Sequence, residues 1–328
     1  MNYSKLHYKA ICFSIFVITF LLSSCSSEPF KIVLLPDTQT YTVLYPEIFH
    51  SQTRWIAENA ENENIAYVLH QGDITDWNAK EQWEVATSAF SLLDGKISYT
   101  IVPGNHDTGN NAETRDTQLF NTYFPYSKYS KTSGFGGAFE EGKMDNTWST
   151  FNAGGLDWLI LSLEFGPRNK VVEWAGNIIQ KHPKHKVIIN THAYMYSDDT
   201  RMGEGDDWLP QSYGVGNETG ENAVNNGEQL WEKLVQQYPN VLLVVSGHVL
   251  HRGSGTLVSA GIHGNNVYQM LANYQGGVDG TENGGNGFLR IITINPKEHS
   301  IDVKTYSPHI NEYKTTPDQQ FKFENVQF

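Results

Sequence analysis

The chain has 328 residues, 39% hydrophobic and 18% charged, which excludes a disordered polypeptide and suits one large α/β domain or two small ones. Its formal net charge is -13, which argues against broad nucleic-acid binding, because that needs clustered Lys and Arg. A small phosphorylated substrate stays open, since bound cations reverse the local field.

At the N-terminus, Lys5 and Lys9 frame a positive stretch, and the apolar run 10–22 is too short to span a bilayer comfortably. Leu22-Ser23-Ser24-Cys25 follows directly and resembles the lipobox of bacterial lipoproteins. That resemblance implies a signal peptide over 1–24, a lipidated Cys25 and a short tether over 25–29. It also implies a place in the bacterial cell envelope, on the periplasmic or surface face, with membrane contact through the lipid only. Cys12 lies within the apolar run and is the only other cysteine. A metal site downstream must therefore be built from Asp, Asn, Gln and His rather than thiolates.

The run 30–35 (FKIVLL) predicts a buried strand stopping at Pro36-Asp37-Thr38-Gln39. A helix is expected from near Pro46, with Ile48, Phe49, Trp55 and Ile56 on its apolar side. A second strand, 65–69 (IAYVL), ends at Gly72-Asp73, and Ala79, Trp83, Ala86, Phe90 and Leu93 recur at helical steps. A third strand, 98–102 (SYTIV), runs into Pro103-Gly104-Asn105-His106-Asp107. The stretch 108–146 reads as loops or a small cap.

Beyond it, 156–163 (LDWLILSL) reads as a strand, and Val171, Val172, Ala175, Ile178 and Ile179 as a helix face. The strand 186–189 (KVII) leads into Asn190-Thr191-His192. Residues 193–227 form a long loop rich in Gly, Asp and Asn, a length that usually carries function. A helix marked by Leu230, Trp231, Leu234, Val235 and Tyr238 precedes the strand 241–245 (VLLVV), which ends at Ser246-Gly247-His248. Segments 267–271, 288–294 and 301–306 read as consecutive strands. The expected domain spans 30–310, with a C-terminal tail over 311–328.

Asp37/Gln39, Asp73, Asn105/His106, His192 and His248 all follow strands. In open α/β sheets, ligands bind beyond the carboxyl ends of strands, so these clusters are expected to meet in one place. Taken singly, Pro-Asp and Gly-Asp are ordinary turn chemistry; the ordered set is the signal.

Asp37-x-Gln39, Gly72-Asp73, Gly104-Asn105-His106-Asp107, Thr191-His192 and Gly247-His248 resemble the successive signatures of the calcineurin-like metallophosphoesterases. The fold implied is a two-sheet β-sandwich flanked by helices, in α-β-β-α layers. The function implied is hydrolysis of a phosphate mono- or diester by two divalent metal ions (Mn, Fe or Zn, with Mn favoured). In that scheme a water shared by the ions loses its proton and attacks phosphorus. The resemblance makes Asp73 the carboxylate shared by both ions. Asn105, His192 and His248 then complete one ion's shell, and Asp37 and Gln39 serve the other. His106 takes the part of general acid, with Asp107 as the partner that fixes its imidazole. Asp76 is either a supporting residue or a helix N-cap. Implied partners are a phosphate-ester small molecule or a phosphorylated glycan or lipid. Tyr194, Arg201, Trp208, Tyr213, Asn273 and Gln275 are candidate substrate contacts.

Two departures from the family pattern matter. Gln39 stands where His is usual, and a neutral amide oxygen favours Mn2+ or another oxygen-preferring ion. Gly-His-x-His becomes Gly247-His248-Val249-Leu250-His251, so Leu250 replaces an expected ligand. His251 would face the opposite side of a continuing strand; it and His263 are candidate substitutes. A lipid-anchored binding protein with a partly degenerate site is the alternative reading. Among the other histidines, His70 reads as a packed strand residue or a support to the site; His50, His182, His185, His299 and His309 read as solvated.

Overall fold

The strand at 30–35 is apolar everywhere except Lys31 because both of its faces are covered, as expected for a parallel strand between two layers. The computed structural model describes residues 28–328. The signal-peptide reading of 1–24 and the lipidation of Cys25 lie outside the described residues.

The first third of the described chain runs β1 (Phe30–Leu35), α1 (Gln39–Leu44), α2 (Pro46–Asn59), β2 (Ile65–His70), α3 (Lys80–Ser91) and β3 (Tyr99–Thr100). Next come α4 (Gln118–Tyr123), α5 (Tyr126–Tyr129), β4 (Phe135–Ala138), β5 (Thr147–Ala153), β6 (Leu156–Leu163), α6 (Asn169–Lys181) and β7 (Lys186–Thr191). After a long loop the chain forms α7 (Gly227–Lys233), β8 (Val241–Ser246), β9 (Ser254–Ala260) and β10 (Asn266–Ala272). It closes with β11 (Leu289–Asn295), β12 (Ser300–Ser307), β13 (Glu312–Lys314) and β14 (Phe321–Phe323).

These strands build two seven-stranded sheets. One runs β13-β12-β11-β1-β2-β3, with β14 also on β12; the other runs β4-β5-β6-β7-β8-β10-β9. Pairing is parallel through β1-β2-β3 and through β6-β7-β8-β10, and antiparallel outward from there. Strand alternation sends Ile32 and Leu34 inward to meet Trp158, Ile160, Ile188 and Leu243 of the facing sheet. Val33 and Leu35 point the other way, onto Phe49 and Ile56 of α2 and Trp83 and Phe90 of α3. On the far side, Leu159, Leu161, Val187 and Ile189 pack against Val171, Ala175 and Ile179 of α6. The four layers are therefore helix, sheet, sheet, helix, as the motifs implied.

Two expectations change and one alternative is decided. The predicted strand 98–102 pairs only at Tyr99 and Thr100, because the chain leaves the ladder before Pro103, which has no N–H to donate. Of the two readings of 108–146, loops or a small cap, the second holds, for the stretch carries α4, α5 and β4. Residues beyond 310 are no loose tail: β13 and β14 extend the first sheet, and Val326 is fully buried. Among the described residues, no helix is long and apolar enough to cross a membrane.

Candidate metal centre

The ends of β1, β2, β7 and β8 and the turn after β3 point the same way, and they bring Asp37, Asp73, Asn105, His192 and His248 together. All five are buried. Glycines permit this crowding. A Cβ on Gly104 would sit 2.1 Å from Asp73 Oδ1, and one on Gly247 would sit 2.6 Å from Asp37 Oδ1. The Gly-Asn-His and Gly-His motifs are thus steric necessities of close approach. Asp73 and His248 adopt positive φ, 49° and 77°, which turns the chain back sharply after each strand.

The hydrogen bonds around the imidazoles decide where their lone pairs point. His192 Nδ1–H donates to the Gln71 carbonyl (2.8 Å), and His248 Nε2–H donates to the Trp208 carbonyl (2.8 Å). The remaining nitrogens, His192 Nε2 and His248 Nδ1, face each other at 3.1 Å. Asn105 Oδ1 lies 3.0 Å and Asp73 Oδ1 3.2 Å from that same His192 nitrogen. Asn105 is held in this orientation because its Nδ2 donates to Asn111 Oδ1 at 2.7 Å. Four acceptor atoms therefore converge on one point. A single proton on His192 Nε2 cannot satisfy three acceptors; a divalent cation can satisfy all four, so the residues fit a metal.

Electrostatics agree. Burial pushes the Asp37 carboxyl up to about 8, with Asp73 adding to the rise against the opposing pull of His192. Burial would likewise raise Asp73, but His192 and His106 outweigh it and hold Asp73 well below the usual carboxylate range. His192 reaches about 9: burial opposes its charge, and Asp73 and Asp37 prevail. Burial, reinforced by His192, lowers His248 to about 3 and keeps it neutral. Without a cation the cluster must hold protons to offset its charge, and metal binding displaces them.

A cavity of about 120 Å3 opens beside this cluster. Gln39, Asp73, His106, Leu250 and Gln275 line it together with aromatic residues from the long loop, and no Lys or Arg is among its lining residues. Gln39 Nε2 donates to Asp76 Oδ1 (3.3 Å), while Gln39 Oε1 is buried with no partner. An orphan of that kind costs about 1–3 kcal/mol unless a ligand meets it.

His106 lies at the rim. Its backbone N–H donates to Asp73 Oδ1 (3.0 Å) and its Nδ1–H to the Asp76 carbonyl (2.6 Å). Burial opposes its protonation, but Asp73 and Asp76 prevail and raise its pKa above the ordinary imidazole value. The expected pairing of Asp107 with His106 is not made. Asp107 is fully buried and accepts from the N–H groups of Gly104, Ile74 and Thr75 and from the Thr75 hydroxyl. It braces the turns after β2 and β3 against each other. Asp76 is not an N-cap either, since α3 begins at Lys80 behind Ala79.

The other candidates separate. His251 turns outward to the Tyr196 hydroxyl (3.2 Å) and the Trp208 ring. His263 is exposed and donates to the Gln237 carbonyl. Neither substitutes for Leu250. The alternation argument for His251 lapses because β8 ends at Ser246 and 247–253 is loop. Tyr194 and Arg201 are structural, bonded to Gln269 and to Glu228 and Gln269 respectively. Trp208, Tyr213 and Gln275 do line the cavity. His70 is a buried packing residue that bonds Thr38 Oγ1. The supports that sequence reasoning missed are the carbonyls of Gln71, Asp76 and Trp208, which have no residue signature, and Asn111.

Comparison with known proteins agrees with this geometry. Residues 30–252 match the profile of the family described as calcineurin-like phosphoesterase. A Bacillus subtilis (strain 168) protein, "Uncharacterized protein YvnB", is 29% identical over 294 residues, covering 88% of this chain and 20% of that protein. The purple acid phosphatase PPD1 of yellow lupin (Lupinus luteus) superposes with a TM-score of 0.56 at 13% identity, over 92% of this chain and 54% of that one. The chain thus spans a fifth of the curated relative's length and about half of the solved structure's, and the second likeness is one of fold. With the profile covering most of the chain and its motif residues gathered at one end of the two sheets, the chain belongs to the calcineurin-like phosphoesterases, a family of enzymes that hydrolyse phosphate esters.

Proposed function

We propose that this protein hydrolyses a phosphate mono- or diester with the help of two divalent metal ions. The observation that carries the reading is the convergence of His192 Nε2, His248 Nδ1, Asn105 Oδ1 and Asp73 Oδ1, which no single donor among the described residues satisfies together. These four groups would hold one ion. Asp37, Gln39 and the shared Asp73 would hold the other. When bound, the ions supply an activated water and neutralise phosphate charge, a task for which the cavity wall offers no Lys or Arg. Mn2+ is favoured, with Fe or Zn as alternatives, because oxygen donors prevail at the second position. His106 does the remaining proton work. With Nδ1–H fixed on the Asp76 carbonyl, its Nε2 proton is available to the departing ester oxygen.

Chelation is expected to abolish turnover of nitrophenyl phosphate mono- and diesters, and added Mn2+ to restore it better than Ca2+. Undiminished turnover after verified metal removal would refute the reading. Such a screen also separates the enzyme from a binding protein, which would take up metal without turnover.

The natural substrate is proposed as a phosphate-ester small molecule or a phosphorylated glycan or lipid, presented at a bacterial envelope to which Cys25 tethers the domain. Cys25→Ser is expected to move the protein from the membrane fraction to the soluble fraction with kcat unchanged. Persistence in the membrane fraction would overturn the anchor.

A further inference from the structure

Leu250 leaves the second ion one ligand short of the family pattern, and His251 and His263 both point elsewhere. Gln39, Asp73 and Leu250 line one cavity, and a residue from much later in the chain lines it with them. Gln275 is 5% exposed, lines the same cavity as Gln39, Asp73 and Leu250, and its Oε1 is buried without a hydrogen-bond partner.

Topology explains why a residue so late in the chain arrives there. β10 pairs parallel with β8, so its carboxyl end emerges beside the turn that carries His248. Gln275 follows three residues after β10 ends at Ala272. Two contacts hold the turn. Gln275 N–H donates to Asn273 Oδ1 (3.1 Å), and Gly276 N–H donates to Thr40 Oγ1 (3.3 Å), the neighbour of Gln39. Asn273 N–H in turn donates to the Gly253 carbonyl at 2.7 Å, which ties this turn to the loop bearing His248 and Leu250.

We propose that Gln275 Oε1 is a ligand of the second metal ion, replacing the family ligand lost at Leu250. The inference rests on the two-ion reading above. It makes the second donor set Asp37, Asp73, Gln39 and Gln275, all oxygen, against the mixed nitrogen and oxygen set of the first ion. Two neutral amides beside two carboxylates suit a hard cation such as Mn2+ and hold it less tightly than imidazoles hold theirs. One tight and one loose site per chain follow.

The test is calorimetric titration of the metal-free protein with Mn2+ alone, no substrate present, with free Mn2+ followed in parallel by electron paramagnetic resonance. The native chain should show two sites of unequal affinity. Gln275→Ala should weaken the looser site by at least about 10-fold, the least that loss of even a supporting contact costs, and leave the tight site within about twofold, which also certifies the fold. Gln275→Glu, which adds a charge to the donor atom, should tighten the looser site. Unchanged Mn2+ affinities in Gln275→Ala would overturn the assignment; a raised KM at saturating Mn2+ with those affinities unchanged would make Gln275 a substrate contact instead. Two equally tight sites in the native chain would overturn the asymmetry. Since no substrate enters the titration, absence of turnover in a protein that meets these affinities would refute the proposed hydrolysis and not the ligand.

Discussion

Asp73→Ala is expected to eliminate measurable phosphate-ester hydrolysis and to be the most damaging single change in the chain. Asp73 alone would contribute to both ions, and its Oδ1 also accepts the His106 backbone N–H at 3.0 Å, so one truncation disturbs both metal sites and the acid. The loss should exceed the roughly 10–100-fold that removal of a supporting contact costs. Metal content, read by mass spectrometry after dialysis, should fall with activity. Circular dichroism should accompany the assay, because the same truncation removes the carboxylate that lies 3.2 Å from the buried His192 Nε2, and loss of fold must be told apart from loss of metal. Asp73→Asn keeps the shape and removes the charge, and should behave similarly. Retention of two bound ions in Asp73→Ala would show that another residue joins them.

His106→Ala is expected to lower kcat by roughly 10²–10⁴-fold on esters with poor leaving groups such as alkyl alcohols. The loss should be far smaller on nitrophenyl esters, whose leaving group departs without a proton, and metal content should not change. That contrast follows from placement, since the imidazole sits at the cavity rim, tethered through Nδ1 to a carbonyl and outside the four converging acceptors. Asp76→Asn keeps that carbonyl but removes the carboxylate charge 3.6 Å from Nδ1, so it should lower the His106 pKa and bring the alkaline limb of the pH–rate profile to lower pH. Equal losses for His106→Ala on both ester types would make His106 a structural residue.

Much of the fold was legible because the central strands carry unbroken apolar runs that end abruptly in Gly, Asp, Asn or His. Such a run is what a strand covered on both faces requires. The strands the sequence did not reveal were β4, β5, β9, β13 and β14, at or near sheet edges. Glu312–Lys314 and Phe321–Phe323 are three residues each, too short for any period to show, and they form only because β12 presents an unpaired edge. The roles of Asp76 and Asp107 exchanged for a related reason. The family resemblance implied Asp107 as the partner of His106, but its side chain turns inward to three backbone N–H groups, and a backbone carbonyl takes its place.

The sequence by itself determined the order of the central strands and helices and the Asp, Asn, Gln and His clusters that follow the strands, because strand burial and turn chemistry are local; the layered architecture and the ligand roles came from the family resemblance those clusters carry. Only the tertiary structure decided which lone pairs converge and which late segment shares the cavity with Leu250. Those outcomes depend on which nitrogen of each imidazole a carbonyl from another segment claims, and on a parallel strand that brings Gln275 beside Gln39 across more than half the chain.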